Sequence, residues 1–258
     1  MKMKLEIIVT TMYQKDMSKY SEMNLQTDAI IANQADYTQY QEYNFKNKTV
    51  KIISTQTKGV GSNRNIGFIH SSGDILLFAD DDMFFENDYE RIILESFKQR
   101  SNADGVVFNV ENYTKQYKIN KKAVFKDVTH GGICGLAIKR EFLLKNNIWF
   151  SLLFGGGARY SCGEDTLFLK TLFDNKAKIY INTKKIAVLN QNVSSWFCGY
   201  TDKFFYDKGI LYFMLNKKLA KVFSAYHILK HREKYKEYGV IMAIRQMFKG
   251  VNDYKALK

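Results

Sequence analysis

Three carboxylates in a row, Asp80, Asp81 and Asp82, stand at the end of an uninterrupted apolar run, Ile75 to Ala79. Like charges this close repel one another, and a cation or a proton is needed to relieve them. Asp80 and Asp82 offer oxygen alone, a donor set that suits Mg²⁺ or Mn²⁺ better than a thiolate-loving metal. Such a pair commonly serves to hold a diphosphate. The plainer reading is a solvated turn ahead of the next helix, which sits less comfortably directly after a buried strand. Upstream, Arg64 lies near the start of a short helix, where its guanidinium and the free amides of the helix start could fork onto a phosphate. A surface arginine is the other reading. Downstream, Glu164 and Asp165 open an amphipathic stretch, Glu164 to Lys176, with Leu167, Phe168, Thr171 and Leu172 inward. Acids in that first turn are also ordinary helix-start residues.

These groups must be positioned by regular elements. Ile75 to Ala79, bounded by Gly73 and the acids, predicts a strand buried on both faces, and the carboxyl edge of an α/β sheet is where ligands bind. Before it, a glycine turn at Gly59 with Ser62 as N-cap predicts a helix over Asn63 to Ser71. Leu5 to Thr10 reads as a first buried strand entering a polar loop at Thr10 and Thr11, followed by a short helix within Asp16 to Asn24. Ala29 to Ala32, ending at Asn33 and Gln34, and Val50 to Ser54 read as further strands. Asn87 to Arg100 has apolar residues at helical spacing, and Gly105 to Val110 and Ile133 to Ile138 add strands. Lys115 to Lys126 reads as a basic hairpin or loop. His130, Gly131 and Gly132 precede the Ile133 strand; the glycines would let a ligand approach, though a lone His is more often structural. Phe154 to Arg159 contains three consecutive glycines and is read equally as a lid or as a flexible connection. Ala177 to Ile181 and Ile186 to Leu189 close the domain as short strands.

The stretch KGVGSNRNIGFIHSSGDILLFADDD resembles the signature of family 2 glycosyltransferases of the GT-A fold, in which a KG-x(4)-RN-x-G segment precedes an apolar strand ending in Asp-x-Asp. Gly163-Glu164-Asp165 is a second anchor, and the resemblance extends more weakly over about residues 5–200. It implies an α/β chain: a Rossmann-like mixed, mostly parallel sheet flanked by helices over residues 1–200, with a basic helical extension over 201–258. It further implies a metal-dependent, inverting transfer of one sugar from a nucleotide-diphosphate sugar, in our reading a UDP-sugar, to a hydroxyl of a glycan or lipid-linked acceptor in surface polysaccharide synthesis. Carried over residue by residue, Asp165 is the general base, and Asp82 with Asp80 holds Mn²⁺ or Mg²⁺. Thr10, Thr11, Asn33, Gly59, Arg64, Asp80 and Asp81 line the donor. His130, Gly132, Glu164 and Trp196 fall on the acceptor side, where Trp196 would stack on a sugar or pack in a core. The family usually has proline at Thr10 and an acid at Asn33; an asparagine amide can still pair with a base edge. Processive members carry Gln-x-x-Arg-Trp, whereas Gln191 and Trp196 stand here at another spacing without the arginine, which suits a non-processive enzyme.

Composition sets the limits. The 258 residues are 46% hydrophobic and 15% aromatic, enough for one folded domain and an appendage. No proline occurs, so turns rest on Gly, Asn, Asp and Ser. Cys134, Cys162 and Cys198 form neither a metal-spaced pair nor a disulfide framework, in keeping with a reducing, cytoplasmic compartment. No apolar run is long enough to span a bilayer, and the basic-then-apolar N-terminus is read as a strand rather than a leader. Of the net charge of +13, +9 lies between Lys203 and Lys258, where thirteen Lys and Arg face four Asp and Glu. Aromatic and aliphatic residues interleave there, which suits amphipathic helices on an anionic membrane surface or a helical bundle packed on the domain. A sugar-phosphate nucleotidyltransferase would share the carboxylates, and a basic nucleic-acid-binding module would share the charge. The acids would repel a nucleic-acid backbone, so no nucleic-acid partner is expected.

Overall fold

The computed structural model describes residues 3–112, 116–129, 132–190, 197 and 199–256. The chain divides into two compact units, Met1–Phe150 with Phe168–Asn192, and Ser151–Leu167 with Val193–Lys258.

The first unit is built on a ten-stranded sheet. Its chain order is β1 (Leu5–Met12), α1 (Ser18–Glu22), β2 (Asp28–Gln34), β3 (Gln39–Phe45), β4 (Lys48–Thr55), α2 (Val60–Ile69), β5 (Ile75–Asp80), β6 (Met83–Phe85), α3 (Tyr89–Gln99), β7 (Gly105–Glu111), β8 (Lys121–Lys122), α4 (Phe125–Val128), β9 (Leu136–Lys139), α5 (Arg140–Lys145), the part of α6 (Glu164–Asp174) from Phe168 onward, and β10 (Ile179–Leu189). The strands lie in the order β3-β4-β2-β1-β5-β9-β7-β10-β6, with β8 on β10. The run β4-β2-β1-β5 is parallel throughout, and β7 pairs parallel with β10. Because β9 is antiparallel to both β5 and β7, most of the strands point one way. This is the α/β, mostly parallel sheet flanked by helices that the sequence implies.

The central strands β1, β2 and β5 are buried almost end to end, which is why they read as continuous apolar runs. Helix α2 packs closely on β1: a Cβ at Gly67 would lie 2.3 Å from Ile8 Cγ2. Of the positions whose spacing predicts an inward face, Tyr89, Ile93 and Phe97 are buried on α3, whereas Ile92 is half-buried and Leu94 takes the inward place beside Ile93.

Several expectations are corrected. Helix α2 starts at Val60 behind Gly59 (φ 105°), and no side chain caps it, so Ser62 is not the N-cap. Strand β3, QYQEYNF, was not expected; it is an antiparallel edge with no fully buried residue and so has no apolar run to announce it. The two short strands expected within 177–189 are the single strand β10, whose polar middle is carried by register shifts between Ile181 and Ala187. The Ile133 strand begins only at Leu136, after a turn with Gly135 at φ 88°. The basic stretch up to Lys126 contributes β8 and the start of α4.

In the second unit, the residues after 200 form α7 (Asp202–Leu215), α8 (Ala220–Lys230), a 3₁₀ turn (Arg232–Tyr235) and α9 (Val240–Ala256). Thr201 caps α7, its Oγ1 accepting from Phe204 N–H at 3.2 Å. Phe205, Ile228, Tyr235, Ala243 and Met247 make one apolar cluster; Phe154, Tyr160, Ile210 and Leu211 make another. The glycine loop is closed by backbone hydrogen bonds from Gly155 to Tyr160 (2.9 Å) and from Tyr160 to Leu153 (2.8 Å), with Phe154 buried.

Helices α7 and α9 cross on a reciprocal pair of glycines. A Cβ at Gly209 would lie 2.0 Å from the Met247 carbonyl oxygen, and one at Gly250 would lie 2.1 Å from the Tyr206 carbonyl oxygen. Gly209→Ala forces the backbones apart, a cost of about 1–3 kcal/mol or more that exceeds the ~1 kcal/mol gain in helix propensity. Urea unfolding should show a lowered midpoint for Gly209→Ala; a raised midpoint would mean that the helices do not need this close approach.

Candidate functional site

The register of the sheet assembles the first part of the site. Thr10 on β1 stands opposite Asp80 on β5, and Thr11 stands opposite Asn33 on β2, all at the carboxyl ends of parallel strands. Thr10 Oγ1 donates to Asp80 Oδ1 at 3.2 Å, and Thr11 Oγ1 donates to Asp81 Oδ2. Arg64, buried on α2 with 3% of its side chain exposed, reaches Asp80 Oδ1 through Nη2 at 3.1 Å. Its guanidinium also lies 5.3 Å from the centre of the Phe150 ring. Cys134 Sγ donates to Asp80 Oδ2 at 3.3 Å. Asp80 is therefore held from three sides, by β1, α2 and the turn before β9.

Asp82 is different. It is half-buried, and its Oδ1 is enclosed without a hydrogen-bond partner among the described residues. Burial, then the charges of Asp80 and Asp81, push its carboxyl up to about 6. The Asp82 carbonyl is fixed by Asn190 N–H at 2.9 Å. Among the described residues no group of three or more His, Cys, Asp or Glu side chains gathers to hold a metal. The carboxylates of Asp82 and Asp80 nevertheless fit a hard divalent cation that takes the rest of its shell from phosphate and water, because an enclosed, unpartnered oxygen under like-charge strain is the group a cation relieves.

Asn33, expected to meet a nucleobase, is fully buried and its amide is already taken up. Its Oδ1 accepts from Gln14 N–H at 2.9 Å, and its Nδ2 donates to Gln14 O and to Ser54 Oγ, both at 2.8 Å. It clamps the loop after β1, in which Tyr13 takes φ 55°. Gly59 donates its N–H to Gln34 Oε1 at 3.0 Å and leaves α2 with an N-terminus that no side chain caps.

Two neighbours of Arg64 were missed. Asn63 Nδ2 donates to the carbonyls of Thr11 and Ala32, both at 3.1 Å. Asn65 exchanges two bonds of 2.9 Å with the Phe150 backbone. Together they tie α2 to the ends of β1 and β2 and to Phe150, and so aim Arg64. The available signal was three polar residues in a row, Asn63-Arg64-Asn65, in a helix whose glycines let it bury.

Gly132 has φ 54° in the loop before β9. Glu164 and Asp165 form the first turn of α6, both half-buried. The helix follows Gly163 at φ 113°, where a Cβ would meet Leu211 at 2.6 Å. His130, Trp196, Gln191 and Cys198 lie outside the described residues.

Residues 26–158 match the model of the family described as Glycosyl transferase family 2. That span contains Gly59, Arg64 and Asp80 to Asp82, and it leaves out Thr10, Thr11, Glu164 and Asp165. No curated protein matches the chain. Among solved structures, S. aureus TarS 1-349 in complex with UDP-GlcNAc aligns with a TM-score of 0.65 at 14% identity, covering 98% of this chain and 80% of that one. The same TarS portion in complex with UDP aligns at a TM-score of 0.58 and 12% identity, covering 99% and 92%. A longer S. aureus TarS structure gives a TM-score of 0.58 at 14% identity, covering 89% of this chain and 43% of that one. At such identities the likeness is one of fold.

Proposed function

The chain belongs to glycosyl transferase family 2, and from that premise we propose that it moves one sugar from a nucleotide-diphosphate sugar, a UDP-sugar, to a hydroxyl of a glycan or lipid-linked acceptor, in surface polysaccharide synthesis. The observation that carries this reading is the carboxylate cluster at the end of β5: Asp80 locked by Arg64, Thr10 and Cys134, beside Asp82 with an enclosed oxygen lacking a partner. The TarS structures of the same fold contain UDP-GlcNAc and UDP, which supports a uridine nucleotide as donor.

In this reading Asp82 and Asp80 hold Mn²⁺ or Mg²⁺, which when bound offsets the charge of the departing diphosphate. The carboxyl end of β1 at Thr10 and Thr11 and the start of α2 at Gly59 receive the nucleotide, with uncapped α2 amides facing an anion. Arg64 holds Asp80 in place through its ion pair at Oδ1. Asp165 accepts the proton of the acceptor hydroxyl as that oxygen bonds to the anomeric carbon. The bond from that carbon to the diphosphate breaks with its electrons on the diphosphate, and the configuration inverts. His130, Gly132, Glu164 and Trp196 are assigned to the acceptor.

No helix of the described residues is long and apolar enough to cross a membrane. A lipid-linked acceptor would bring the chain to the cytoplasmic membrane face as a peripheral protein, and its net charge of +13 supports that location.

Incubation with UDP-, GDP- and dTDP-sugars in Mn²⁺, with and without EDTA, tests the donor assignment. Metal-dependent release of UDP is expected. Silence with all three, together with pyrophosphate release from a sugar phosphate and a nucleoside triphosphate, would instead identify a nucleotidyltransferase.

A further inference from the structure

Helix α8 is apolar on two opposite faces. Ala220, Ser224 and Ile228, at four-residue spacing, are buried against the rest of the second unit. On the other side Leu219, Val222, Phe223, Tyr226 and Leu229 recur at three- and four-residue spacing and are 45%, 60%, 37%, 62% and 56% exposed. A stripe of this width on a helix normally faces a core. Here it faces outward, and scattered single apolar residues, which need no explanation, are a different pattern.

Charge identifies the occupant. From Lys208 to Arg232 the chain carries six Lys and Arg and no Asp or Glu. Lys217, Lys218, Lys221 and Lys230 flank the stripe and are exposed. Lys230 Nζ lies 5.9 Å from the centre of the Tyr226 ring, an aliphatic stem laid along an aromatic with the ammonium at its rim. A second copy of the chain would bring this acid-free cationic stretch against itself across a two-fold axis, which like charges oppose. An anionic bilayer takes both parts, apolar side chains at the acyl boundary and lysines at the headgroups.

We propose that the outward face of α8 is the surface on which the protein seats itself on an anionic lipid bilayer, with Leu219, Val222, Phe223, Tyr226 and Leu229 entering the interface. This deepens the membrane reading above. Vesicle binding is measured without nucleotide sugar or acceptor, so a silent surface and an inactive enzyme are told apart.

The experiment is co-sedimentation of the full chain with vesicles of phosphatidylcholine alone and of phosphatidylcholine mixed with phosphatidylglycerol. The wild type should pellet with the anionic vesicles, much less with the neutral ones, and less as salt rises. Val222→Asn with Leu229→Asn should weaken binding about tenfold or more. Lys218→Gln, Lys221→Gln and Lys230→Gln together should weaken it by about fivefold per charge. Each variant is checked by circular dichroism; if the apolar pair disturbs the helix, the lysine triple decides. Equal binding to neutral and anionic vesicles, undiminished binding of the lysine triple, or a lipid-free dimer that the apolar pair dissolves would each overturn the proposal.

Discussion

Asp165→Asn is expected to bind UDP-sugar as the wild type does and to turn it over about 10²–10⁴-fold more slowly, the loss typical of a removed general base. The substitution keeps the size of the side chain and most of its hydrogen bonding but removes the capacity to accept a proton. Donor affinity should survive because, in the proposed reading, the nucleotide is held by Asp82, Asp80 and the start of α2 rather than by α6. Glu164→Gln is the control. It lies in the same first turn but points about 100° around the helix, so it should matter less. Either acid also favours the start of α6, an effect worth under about 1 kcal/mol, so both variants must first be shown to be folded. The expected signature is a fall in kcat at unchanged donor Kd. Near-normal turnover in Asp165→Asn, or abolished donor binding, would remove Asp165 from the chemistry.

What was legible in the sequence was what burial writes into it. The apolar runs of β1, β2 and β5 are each buried on both faces, so their strands could be read directly. The acids after β5 stood out because they interrupt such a run. Legibility failed where structure depends on partners distant in sequence. Asn33 has the right chemistry to meet a base, yet its amide is taken up by Gln14 and Ser54, contacts that only the parallel pairing of β2 with β1 and β4 creates. Cys134 was noted for its spacing and not for a bond to Asp80, which lies 54 residues away. In the C-terminal region, composition left two readings open because charge and apolar residues alternate. The structure sorts those residues: Phe213 and Ile228 are buried in the second unit, while Val222, Tyr226 and Leu229 face outward. The grouping of Ser151–Leu167 with the C-terminal helices likewise rests on contacts such as Phe154 and Tyr160 with Leu211, which no local pattern records.

Asp82→Asn is expected to abolish Mn²⁺ binding and metal-dependent UDP release, lowering turnover by about 10²–10³-fold, the scale seen when a group stabilising transition-state charge is lost. The pH dependence makes the assignment specific. The Asp82 carboxyl sits at about 6 in the metal-free protein, against an ordinary 3.8, because it is buried and faces Asp80 and Asp81. Between those values the folded chain holds a proton that the unfolded chain has released. Metal-free stability from this residue is therefore greatest below the window and falls as pH rises through it. A divalent cation needs the ionised form, so proton and metal compete for the same oxygens. Mn²⁺ affinity should fall steeply below pH 6 and level off above about 7. Thermal melts should then show a larger rise in Tm on adding Mn²⁺ at pH 7 than at pH 5. In Asp82→Asn the like-charge strain is gone, so the metal-free protein at pH 7 should melt no lower than the wild type, and the Mn²⁺ increment should vanish. A variant that melts lower than the wild type without metal, yet keeps the full Mn²⁺ increment, would mean that Asp82 braces the turn after β5 and that the cation is held elsewhere.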